Sequence, residues 1–126
     1  MPRGGSETIL LVDDDELIRQ LGSRILQRGG YAVIEASNGK EALDVYRSRG
    51  KEISLVVLDL IMPEMGGVEC LQELLKIGLD VKVVIASGFS AEKHTRDLLH
   101  SGAKGFVNKP FNMKDVLETV RNVLDG

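Results

Sequence analysis

The stretch from Thr8 to Ala36, TILLVDDDELIRQLGSRILQRGGYAVIEA, decides the fold. Thr8–Val12 is a short run rich in Leu, Ile and Val, the mark of a strand buried on both faces. Asp13, Asp14 and Asp15 end it. Leu17, Ile18, Leu21, Ile25 and Leu26 then return at helical spacing and form one apolar stripe, which Gly29-Gly30 brings to a stop. Ala32–Ala36 is a second short apolar run. The unit is strand, helix, strand.

The same alternation continues outward. Leu55–Leu58, Val81–Ala86 and Gly105–Asn108 read as three further strands. Asn38 is placed to cap a helix over Gly39–Ser48 with Ala42, Leu43 and Tyr46 inward. Val68, Leu71, Leu74 and Leu75 form a third helical stripe. Ala91–Ser101 makes a polar fourth helix, with only Leu98 and Leu99 as large apolar groups. Asn112 with Asp115 signals the start of a fifth, whose apolar face is Val116, Val120, Val123 and Leu124. Five strand-then-helix units imply a parallel sheet with right-handed crossovers and helices on both faces, in one α/β domain.

Bulk properties narrow the function. The 126 residues suit one domain, with no room for a second of ordinary size. Residues 1–6 read as a flexible linker or tag and 7–126 as the domain. A single cysteine, Cys70, excludes an internal disulfide and suits a reducing, cytoplasmic setting. No apolar run approaches the ~20 residues that span a bilayer. Nineteen acidic against sixteen basic residues, a net charge of −3, argues against a nucleic-acid surface. Cys70 reads as a small packing residue, and His94 and His100 lack the spacing of a helical metal pair. Arg19 reads as a cover for the rim.

The chemistry gathers where parallel sheets place it, at the carboxyl ends of the strands. Asp13, Asp14 and Asp15 follow the first strand, Asp59 the third, Ser87 the fourth and Lys109 the fifth. Taken singly, each has an ordinary explanation as a cap or turn residue. Turn chemistry does not explain their joint placement on one rim. Carboxylates gathered there repel by a few kcal/mol per close pair at intermediate dielectric. An oxygen-seeking divalent ion such as Mg²⁺ offsets that repulsion and can grip phosphate oxygens. A carboxylate can also serve as the nucleophile, giving an acyl phosphate.

From Thr8 to Leu124 the chain resembles a response-regulator receiver domain. The resemblance rests on Leu10-Leu11-Val12-Asp13-Asp14-Asp15, Leu58-Asp59-Leu60-Ile61-Met62-Pro63 with Gly66-Gly67, Ala86-Ser87-Gly88, and Asn108-Lys109-Pro110-Phe111. It implies a flavodoxin-like, doubly wound five-stranded sheet of order 2-1-3-4-5 with five helices. It also implies that Asp59 accepts a phosphoryl group from a phosphohistidine on a histidine kinase or phosphotransfer domain. Asp13 and Asp14 would hold Mg²⁺ together with Asp59 and the backbone carbonyl of Ile61, Asp14 being the more direct ligand. Lys109 corresponds to the family lysine, its bond to Pro110 commonly cis. Ser87 and Phe106 occupy the switch positions. Phe106 lacks the hydroxyl of many relatives, so a switch there would work by packing alone.

The resemblance further implies that phosphorylation switches the face of the fourth helix, fifth strand and fifth helix, through which a homodimer could also form. Phe89 and Ile61 are expected to restrict water beside the site, and the polar fourth helix to be the most mobile. The wording around Ser87 and Phe106 is similar to receivers at the ends of hybrid kinases, so a stand-alone regulator and a receiver belonging to a hybrid kinase or larger regulator are both expected possibilities. An Mg²⁺-dependent aspartyl phosphatase of similar topology is the alternative. That class carries a second acid two residues after its nucleophile, where this chain has Ile61. A flavin-binding module is disfavoured, because no Ser/Thr/Gly-rich phosphate loop follows the first strand.

Overall fold

The computed structural model describes residues 4–60, 65–78, 80–88 and 102–126. The strands are β1 (Thr8–Val12), β2 (Ala32–Ala36), β3 (Ile53–Asp59), β4 (Val83–Ser87) and β5 (Gly105–Asn108). They form one parallel sheet in the order β2-β1-β3-β4-β5. Among the described residues there are four helices: α1 (Glu16–Arg28), α2 (Gly39–Arg49), α3 (Gly67–Ile77) and α4 (Met113–Asp125). The last is the helix expected as the fifth. The stretch expected as the fourth, residues 91–101, lies outside the described residues. So do Ile61, Phe89, His94 and His100.

Two apolar layers sandwich the sheet. Leu10, Val56, Leu58, Val83 and Ile85 pack with Ala42 and Leu43 of α2 and Cys70, Leu71 and Leu74 of α3. Ile9, Leu11, Leu55, Val57 and Val84 pack on the other side with Ile25 and Leu26 of α1 and Val116, Leu117 and Val120 of α4. Alternation along each strand feeds the two layers in turn, as a parallel sheet covered on both faces requires. Both expected side-chain caps form: Asn38 accepts from the Glu41 N–H and Asn112 from the Asp115 N–H.

Four expectations need correction. Strand β2 is an edge strand, and Ala32 and Glu35 are exposed rather than buried on both faces. β3 extends beyond Leu55–Leu58 in both directions. β4 starts at Val83 because the Val81 N–H is committed to a turn with the Gly78 carbonyl. Finally, Leu17 and Leu21 of α1 are 77% and 43% exposed, and Val68 of α3 is also exposed. The face of α1 that packs is centred on Gly22, where a Cβ would sit 2.9 Å from the Phe111 ring and 3.1 Å from Leu11. That close approach turns the Leu17–Leu21 line aside, toward solvent.

Candidate functional site

The register brings the rim together. Val12 pairs with Leu58, so the residues that follow β1 lie beside Asp59 at the end of β3. Asp59 pairs with Ala86, and Ser87 with Asn108, which sets Ser87 and the following Lys109 on the other flank. The Lys109 N–H donates to the Ser87 carbonyl at 2.8 Å, and the Lys109–Pro110 peptide is cis. Asp13, Asp14, Asp15, Asp59, Ser87 and Lys109 all line one cavity of about 280 Å³, with Ile18, Leu60 and Gly88. Gly67, at the start of α3, supports the floor. A Cβ there would fall 2.6 Å from the Asp59 carbonyl oxygen, so a side chain cannot enter without displacing the strand end.

The three consecutive aspartates take different tasks. Asp15 is the N-cap of α1, accepting from the N–H groups of Leu17 and Ile18. Asp13 is buried, at 1% exposure; its Oδ1 accepts from the Asp15 N–H at 2.9 Å, and its Oδ2 faces Lys109 Nζ at 2.7 Å. Asp14 is exposed at the cavity mouth. Lys109 Nζ also donates to Asp59 Oδ1 at 2.9 Å.

Carboxylate oxygens of Asp13, Asp14 and Asp59 all lie within 4.8 Å of one another. One lysine pairs with two of these three acids, Asp13 and Asp59. Burial pushes the Asp59 carboxyl up to about 6, the Lys109 hydrogen bond pulls against that shift, and the charge of Asp13 adds to it. For Lys109, burial disfavours the ammonium, but the carboxylates of Asp13 and Asp59 beside it outweigh this and hold its pKa above the ordinary value. The contact between Lys109 and Asp13 Oδ2 is an ion contact rather than an aligned hydrogen bond, and Oδ2 has no hydrogen-bond partner among the described residues. A buried, under-coordinated carboxylate oxygen in an oxygen-only, net-negative cluster fits a hard divalent cation such as Mg²⁺, which takes carboxylate and water ligands at about 2.1 Å.

Phe106 is half-buried against the layer that includes Ile85, Leu71 and Leu74. Cys70 is fully buried in the same layer, its thiol pushed up to about 11 by that burial, as suits a packing residue. One side chain at this rim was undervalued by its residue type. Arg19 does more than cover: it reaches the loop that carries Asp13 and Asp14.

Residues 9–121 match the response regulator receiver domain family. The chain belongs to that family. It is 41% identical over 121 residues to the sensor kinase CckA of Brucella abortus, an alignment covering 96% of this chain and 13% of the kinase. It is 34% identical to the chemotaxis protein CheY of Thermotoga maritima, over 91% of this chain and 95% of that protein. Among solved structures it superposes on the CheX–CheY–BeF3–Mg complex of Borrelia burgdorferi with a TM-score of 0.89 at 31% identity, covering 93% of this chain and 88% of that one. This receiver domain thus spans a small fraction of one relative and nearly all of another. Among its described residues, no helix is long and apolar enough to cross a membrane.

Proposed function

We propose that residues 7–126 act as a phosphorylation switch, with Asp59 accepting a phosphoryl group from the phosphohistidine of a histidine kinase or phosphotransfer domain. The observation that carries this reading is the clustered trio Asp13, Asp14 and Asp59, with Lys109 paired to Asp13 and Asp59. With all three acids ionised the cluster is two charges negative, the charge that one divalent ion neutralises. The Borrelia burgdorferi CheY complex contains BeF3 and Mg, which supports the same pairing of anion and metal here. Asp13, Asp14, Asp59 and the Ile61 carbonyl would hold Mg²⁺, which when bound supplies positive charge against the phosphoryl oxygens.

The protein's own part is positioning. A carboxylate oxygen of Asp59 bonds to phosphorus while the phosphorus–nitrogen bond of the donor breaks. The electron pair leaves with the imidazole, which takes up a proton from water. Lys109 already stands 2.9 Å from the other Asp59 oxygen and holds it aside from the attack. The buried Ser87 hydroxyl at the far wall is a donor for the phosphoryl oxygens once they arrive. Rearrangement there would reach Phe106 and the face of β5 and α4, the surface for output and for any homodimer. The domain would work in the cytoplasm, as a stand-alone regulator or as the receiver of a hybrid kinase like CckA. It is no enzyme on other substrates and catalyses only its own phosphorylation and dephosphorylation.

Incubation with Mg²⁺ and acetyl phosphate, followed by intact mass, tests the chemistry. The parent gains one phosphate, while Asp59→Asn and the parent in EDTA gain none. Equal incorporation in Asp59→Asn would refute the assignment.

A further inference from the structure

The loop between β1 and α1 carries two of the three clustered carboxylates, and a side chain outside the cluster grips its backbone. Arg19 Nη1 donates to the Asp13 carbonyl oxygen at 2.7 Å, and its Nε donates to Glu35 Oε1 at 3.1 Å. The Arg19 side chain is only 16% exposed. On the other side of the same residue, the Asp13 N–H donates to the Ala36 carbonyl at 3.1 Å. Both peptide groups of Asp13 are therefore tied to the end of β2, one directly and one through the Arg19–Glu35 pair.

The gripped carbonyl belongs to the peptide joining Asp13 to Asp14. Fixing its plane restricts ψ of Asp13 and φ of Asp14, and so the direction in which the Asp14 side chain leaves the chain. Asp13 has its own anchors in Lys109 and the Asp15 N–H. The exposed Asp14 depends on its backbone. We propose that Arg19, braced by Glu35, is a positioning residue for the divalent-cation site, presenting Asp14 to the cluster; this rests on the reading of that cluster as a cation site.

Two effects of removing Arg19 oppose each other. Deleting a cation near the site would tighten divalent-ion binding, whereas freeing the peptide would loosen it. Glu35 sits on the guanidinium, and Glu16 and Glu41 share the same hollow, so the net field of Arg19 at the cluster is small. Orientation wins. Partners that orient metal ligands typically change affinity by about 10–100-fold when removed. Lysine keeps the charge but lacks the planar fork that reaches carbonyl and carboxylate together.

The test is Mg²⁺ titration of the parent, Arg19→Ala, Arg19→Lys and Glu35→Gln, followed by backbone amide shifts, with thermal unfolding in EDTA as the fold control. Arg19→Ala should bind Mg²⁺ about tenfold more weakly. Arg19→Lys should also be weakened, and Glu35→Gln less so, with metal-free melting close to the parent's. Unchanged or tighter binding by Arg19→Ala overturns the proposal, as does full parental affinity in Arg19→Lys. Should Arg19→Ala fail to fold, Arg19→Lys and Glu35→Gln decide by the same criteria. A parent that saturates while Arg19→Ala matches it sinks the brace alone; a parent that never saturates sinks the cation site as well.

Discussion

At the carboxyl edge of the sheet three carboxylates cluster and Lys109 pairs with two of them, whereas at the opposite end Arg121 of α4 sits between Glu7 and Asp125. Both clusters hold more acids than bases. They differ in their access to water. Asp13 and Asp59 are 1% and 5% exposed, while Glu7 and Asp125 keep much of their surface in solvent. At the exposed end Arg121 also donates to the Gly4 carbonyl, and the cluster fastens the start of the chain to its last helix. Screened charges of this kind are compatible with a purely structural role. Buried charges that remain uncompensated weaken the fold, and their presence at a strand-end cavity is the physical pattern of a functional site rather than of a structural one.

The largest expected effect comes from removing the lysine that pairs with two of the clustered acids. Lys109→Met leaves Asp13, Asp14 and Asp59 facing each other, and should lower the metal-free unfolding free energy at neutral pH by about 3 kcal/mol. Urea denaturation would measure it. Mg²⁺ should restore part of the loss, and so should acidification, which protonates the acids. A loss that is independent of both would mean that Lys109 acts by packing, and the contrast between the two ends would fail.

Next in size is Asp59→Asn, with the opposite sign. Because the folded Asp59 carboxyl lies near 6 rather than 3.8, its stabilising contribution is present below the lower value and is lost as pH rises through the upper one. The amide never ionises and can still accept from Lys109. Metal-free Asp59→Asn should therefore be more stable than the parent at pH 7, by about 1–2 kcal/mol, with the gain vanishing by about pH 4. Thermal melts across that range in EDTA would show it. A variant less stable than the parent at pH 7 would contradict the account of strain at the site.

Much of this arrangement could be read before any coordinates. Strand–helix alternation, the caps at Asn38 and Asn112, and the Asp, Ser and Lys residues following particular strands all follow from local pattern and sheet topology. What escaped reading depends on contacts between distant residues or on backbone atoms. Periodicity places Leu17 and Ile18 on adjacent lines of α1 but does not say which line packs; that choice is made by Phe111, from the far end of the chain, closing on Gly22. Asp13, Asp14 and Asp15 are chemically identical, and only the direction of each peptide separates cap, buried anchor and exposed carboxylate. The grip of Arg19 on the Asp13 carbonyl has no signature in residue type, because every residue carries a carbonyl.

The smallest effect is expected at the other end. The Arg121 hydrogen bond holds the Glu7 carboxyl below its ordinary 4.5, so this pair contributes stability above that value and loses it as pH falls through the lowered one. The sign is the reverse of that at Asp59. Arg121→Gln should thus give a small drop in melting temperature at neutral pH, one that shrinks with added salt and disappears in acid, because the partners are solvated and screened. Mg²⁺ should shift the variant's melting as much as the parent's. If Arg121→Gln instead changed the Mg²⁺ response, the two clusters would be coupled along β1, and the division between a structural end and a reactive end would have to be given up.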